Sequence, residues 1–195
     1  MDLWETYEKW ALSPGFPNNR VNLRAGTRWG ASLGHLEDRS YNLKVNEVKL
    51  LEYSDGSRYL LVKDIGFDLF ISIYDVDSRS LLGVRMSQAP TNDEIVKVAN
   101  MVLKQRMRNV EIRIIGMQNG SPDLLTAMSR VRRDLKGRLL EVDLFGNEIR
   151  HVAIDAKTGT SYNLLLLNRI YRPGELINTA KEETFNKSRS KLLFV

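Results

Sequence analysis

Apolar and polar positions along the chain alternate in blocks, some with the period of a helix and some with that of a strand. Leu3, Trp4, Tyr7, Trp10 and Ala11 recur at helical spacing behind a possible Asp2 cap. Pro14, Gly15 and Pro17 end that helix, and the stretch from Val21 to Asn42, with Gly26, Gly30 and Gly34, has no apolar period. It reads as an irregular exposed arm. From Leu43 the pattern is strand-like: residues 45–53 and 58–63 flank Asp55-Gly56, which predicts a tight hairpin. FDLFISIY (67–74) is almost continuously apolar, as a strand buried on both faces would be, and LLGVRM (81–86) follows.

Two amphipathic helices come next. Thr91 and Glu94 fit a capping box ahead of the stripe Ile95, Val98, Ala99, Val102 and Leu103. After the strand VEIRIIG (110–116), Ser121-Pro122 opens a helix with the stripe Leu124, Leu125, Met128, Val131 and Leu135, which Gly137 is placed to end in a left-handed conformation. LLEVDLF, IRHVAI and SYNLLLL are the last strands, the final pair joined through Lys157, Thr158 and Gly159. This order predicts an α+β fold, a mixed or antiparallel sheet core with two main helices packed on it. The division expected is an N-terminal helix and arm over 1–42, a domain over 43–171 and a polar helix or tail over 172–195.

With 195 residues, 43% hydrophobic and 27% charged, the chain is expected to bury one core. The absence of cysteine removes disulfides and thiolate metal sites and suits a cytoplasmic location; no signal peptide or membrane span is expected. The net charge of +5 allows an acidic partner, but Arg130, Arg132 and Arg133 sit where a solvated helix face would place them, so nucleic acid is not the expected partner. His35 and His151 are the only histidines, and no metal-ligand spacing surrounds them. Within a strand, His151 lies near Asp155, so a His–Asp pair is one possible arrangement. Asp75 and Asp77 form half of a calcium-loop pattern without its downstream glycine and glutamate, which favours a polar turn. Phosphate-loop and serine-hydrolase motifs are absent. No cofactor is expected.

The stretch DLFGNEIRHVAIDAKTG (143–159) resembles the C-terminal signature of the chemoreceptor glutamine deamidases, the CheD family. Asp143, Gly146, Arg150, Thr158 and Gly159 keep that family's spacing, and Gly116 keeps one glycine of its Gly-Gly-Ala stretch. The resemblance runs in order from about Leu60 to Leu167 and implies the family's scaffold. It also implies where the catalytic residues would stand. Asp68, in the turn Gly66-Phe67-Asp68, falls at the nucleophilic cysteine; Met86 falls at the general-base histidine and Val62 at the supporting threonine. None of the three can perform the family's chemistry. The turn itself reads as solvated.

The resemblance therefore implies a non-catalytic binding or regulatory protein in chemotaxis, with a chemoreceptor cytoplasmic region or a CheC-type phosphatase as partner. A hydrolase or deamidase with a relocated site on Asp68, Ser72 or His151 is the alternative from the enzyme class. A basic scaffold that binds nucleic acid or copies of itself is a third.

Overall fold

The computed structural model describes residues 2–14, 21–24, 39–52, 56–117, 123–146, 149–165 and 193–194. The elements are α1 (Leu3–Ala11), β1 (Val21–Arg24), β2 (Ser40–Asn42), β3 (Glu47–Glu52), β4 (Tyr59–Ile65), β5 (Leu69–Asp75), β6 (Ser80–Met86), α2 (Asn92–Lys104), β7 (Val110–Gly116), α3 (Asp123–Leu135), β8 (Arg138–Leu144), β9 (Arg150–Asp155), β10 (Ser161–Leu165) and β11 (Leu193–Phe194). The turn at Asp55, the Ser121-Pro122 cap, the glycines of the arm, His35 and residues 172–192 of the tail lie outside the described residues. No helix among the described residues is long and apolar enough to cross a membrane.

The fold is α+β, in three layers. A six-stranded sheet in the order β1-β8-β7-β5-β6-β3 has the helices on one face and a five-stranded sheet, β11-β10-β9-β4-β2, on the other. Both sheets are mixed: β7 and β8 are parallel, as are β2 and β4, and the other pairs are antiparallel. Strand alternation divides the core in two. Leu69, Ile71, Ile73, Ile112 and Ile114 meet Tyr7, Ile95, Val98, Leu124 and Met128 on the helix side. Phe70, Tyr74 and Ile115 meet Leu60, Val62, Val152 and Ile154 between the sheets. Strand β5 lies at the centre of the first sheet and is buried along its whole length, which is why its sequence is almost continuously apolar.

The hairpin expected around Asp55-Gly56 does not form. Strand β3 pairs with β6 at the edge of the first sheet, while β4 pairs with β9 and β2 in the second. A local turn signal contributes little beside burial: by changing sheets the chain places Leu51, Leu60 and Val62 together in the inter-sheet core. The described residues before Leu43 also do more than lead in. Helix α1 is part of the helix-side core, β1 extends one sheet and β2 the other. The Trp4 indole donates to the Gly137 carbonyl at 3.1 Å, and Trp10 stacks on Phe145 with ring centroids 5.5 Å apart.

The capping box forms as expected, with Thr91 Oγ1 accepting from the Glu94 amide and the Glu94 carboxylate accepting from the Thr91 amide. Leu103 departs from the expected stripe and is exposed in the last turn of α2, where Val102 takes the buried face. At the end of α3 the left-handed residue is Lys136, φ 50°, and not Gly137. Gly137 is small for a packing reason instead, since a Cβ there would stand 2.6 Å from Val110 Cγ2.

Candidate functional site

The turn from β4 to β5 holds the position at which the resemblance places a nucleophile. Asp68 is buried in it, so the solvated turn expected from Gly66-Phe67-Asp68 is not what forms; only Phe67, 63% exposed, faces outward. Asp68 Oδ1 accepts from the Gly66 amide at 2.9 Å, and Oδ2 accepts from Arg85 Nε. The rest of the guanidinium is spoken for: Nη1 donates to the Leu43 carbonyl and Nη2 to the Asp64 carbonyl, both at 3.2 Å. A cation with this many acceptors and a carboxylate with two donors form a closed network.

Strand alternation explains why Arg85 and not Met86 reaches Asp68. Met86, paired with Leu69 in the sheet register, turns to the helix side, where it packs on that core. Arg85 points between the sheets. Val62 is fully buried in the inter-sheet core, on the opposite side of the first sheet from Met86. The three positions to which the resemblance points do not converge, and the residue that completes the turn is Arg85, which belongs to none of them. Its sequence signal is a lone arginine inside the apolar strand LLGVRM.

The signature itself folds around the same end of the molecule. Asp143, at the end of β8, and Arg150, at the start of β9, belong to different sheets and meet at 3.1 Å; both are buried. Arg150 Nη2 also donates to the Phe145 carbonyl, holding a turn in which Phe145 and Gly146 have φ 62° and 77°. This pair ties the sheets together where the chain passes between them. Gly116 closes the end of β7: its φ is 122°, and a Cβ would lie 2.0 Å from the Asp68 carbonyl oxygen. Only glycine fits, and the Met117 amide then donates to that carbonyl at 2.9 Å. Thr158 and Gly159, by contrast, sit in the β9–β10 hairpin at the opposite end of β9.

His151 lies beside the Asp68 end. Its Nδ1 accepts from the Asp64 amide at 3.1 Å, an arrangement that requires a neutral ring with its proton on Nε2. Burial lowers its pKa below the ordinary value; Asp64, with a carboxylate oxygen 3.9 Å from Nδ1, opposes this, and Lys63 and Arg85 reinforce it. The His151–Asp155 pair does not form, because four residues along strand β9 separate the two by roughly 13 Å; the Asp155 carboxylate is engaged instead by Arg58 at 3.0 Å and by the Lys157 amide at 2.8 Å. Asp75 is the polar-turn residue that its context indicates. Its carboxylate accepts from Ser78 Oγ at 2.6 Å and from the Arg108 and Asn109 amides at 3.3 and 3.0 Å.

Neither the protein-family models nor the curated proteins compared with this sequence give a match.

Proposed function

We propose that the protein is a non-catalytic binding module on a CheD-like scaffold, acting in chemotaxis signalling by contact with a chemoreceptor cytoplasmic region or a CheC-type phosphatase. The observation that carries the reading is the closed network at Asp68. Hydrolysis through a covalent intermediate needs a free nucleophile and an adjacent base. Here the corresponding side chain is a buried carboxylate with both oxygens engaged, and its neighbour is a guanidinium that cannot accept a proton.

The same end of the molecule supports a contact role. Phe67, Val45 and Ile149 are exposed there: Phe67 follows β4, Val45 follows β2, which runs parallel to β4, and Ile149 precedes Arg150, the register partner of Ile65. An exposed aromatic among aliphatic side chains around a rigid turn is the composition of a protein-binding hot spot.

The alternatives have less support. Ser72 Oγ is buried without a hydrogen-bond partner, so no base is placed to activate it, and His151 spends its acceptor nitrogen on a backbone amide. For nucleic-acid binding, Arg132 is paired with Glu8 and Asp2 and Arg133 with Asp134, which neutralises much of the cationic cluster on α3.

Calorimetric titration with chemoreceptor cytoplasmic fragments and with a CheC-type protein tests the proposal. Saturable binding to one of them is expected, weakened roughly tenfold by Phe67→Ala with the urea midpoint unchanged. Binding to neither would overturn it.

A further inference from the structure

A second polar site lies away from the Asp68 turn, between the sheets and under the β9–β10 hairpin. Arg113, on β7, is 2% exposed, and its Nη1 has no hydrogen-bond partner. Its cross-strand neighbour on β5 is Ser72, whose Oγ is likewise buried and unpartnered. Among the described residues three buried side-chain atoms lack a partner, and two of them are opposite one another in this register. The nearest countercharge does not satisfy the arginine. Glu141 Oε2 stands 3.9 Å from Arg113 Nε, beyond hydrogen-bond reach, and accepts from Ser161 Oγ at 3.2 Å. Burial accordingly holds the Arg113 guanidinium below its ordinary value, with Glu141 and Glu111 acting in the other direction.

Arg113 lines a cavity of about 310 Å³, whose other walls include Glu111, Arg138, Thr158 and Thr160. Arg138 is 70% exposed and pairs with Glu111. Thr158 Oγ1 donates to Thr160 Oγ1 at 2.9 Å, which leaves the Thr160 hydroxyl hydrogen free to turn toward the cavity. The volume is that of a small-ligand site.

We propose that this cavity binds a carboxylate group, held by Arg113 with Thr160 and Arg138 at its rim. A planar monoanion matches the guanidinium fork. Arg113, Arg138 and Glu111 line the cavity and Glu141 stands 3.9 Å from Arg113, so the walls carry one net positive charge with a further carboxylate close behind, which suits a monoanion better than a dianion such as phosphate. The carboxylate could belong to a free small acid or to the C-terminus of a peptide chain.

Thermal unfolding of the full chain, read at constant ionic strength against acetate, triglycine, triglycinamide and inorganic phosphate, distinguishes these. Saturable stabilisation by acetate or triglycine, but not by triglycinamide, is expected; acetate alone points to a free acid, and tighter triglycine binding to a chain terminus. Arg113→Lys, which keeps the positive charge beside Glu141, is expected to weaken that binding at least roughly tenfold, and Thr160→Val, which disturbs no buried charge, by several-fold. The proposal is overturned if no carboxylate gives saturation up to about 50 mM, well above a millimolar dissociation constant. It is equally overturned if phosphate binds more tightly, or if both variants respond like the parent.

Discussion

Replacing Arg85 by methionine removes the cation from the β4–β5 turn, and its cost can be worked from four contacts. Arg85 meets the Asp68 carboxylate, the Leu43 carbonyl and the Asp64 carbonyl, while Asp68 holds the Gly66 amide. The side chains of Arg85 and Asp68 are only 8% and 10% exposed, so solvent screens the pair little. Removing one partner of such a pair leaves a buried, uncompensated charge and costs about 3–5 kcal/mol. The expected result for Arg85→Met in urea unfolding followed by circular dichroism is a loss in that range with an unchanged m-value. The double variant Asp68→Asn, Arg85→Met keeps an oxygen for the Gly66 amide and carries no charge; it should cost only about 1–2 kcal/mol, the strained or unmet hydrogen bonds alone. A loss below about 1 kcal/mol for Arg85→Met, or a double variant no better than the single, would refute the reasoning.

Lowering the pH should destabilise the fold through His151. Its folded pKa is depressed, so its contribution is fully present above the unfolded value near 6.5 and is lost as pH falls through the folded one; unfolding free energies measured between neutral and acid pH should show this slope, and His151→Asn should flatten it. Gly116→Ala sets a Cβ 2.0 Å from the Asp68 carbonyl oxygen at φ 122°, and a loss of about 3 kcal/mol or more, or failure to yield soluble protein, is expected. A well-folded Gly116→Ala protein would show that the β7 end is not held as described. Thr91→Ala removes one arm of the capping box and should lower stability by about 1 kcal/mol in the same urea assay.

The elements that could be read from the chain are those whose signals are local. The capping box at Thr91, the amphipathic stripes of α2 and α3 and the buried strand β5 each depend on residues within a few positions of one another. Pairing was not legible in the same way. Strands β3 and β4 look like a hairpin by sequence, yet their partners β6 and β9 are distant in the chain, chosen by which apolar face could be covered. The site divides along the same line. Asp143, Gly146 and Arg150 are close in sequence, and the Asp143–Arg150 contact lies within that short stretch. Arg85 and Arg113 were not legible, because each is an isolated charge whose meaning comes from a residue on another strand, Asp68 in one case and Glu141 in the other.

The central claim, contact without catalysis, is tested most directly by mass spectrometry on receptor fragments at the end of a binding titration. Saturable binding with no change in fragment mass is the predicted result. A gain of about one dalton per deamidated glutamine, the signature of amide hydrolysis, would contradict it.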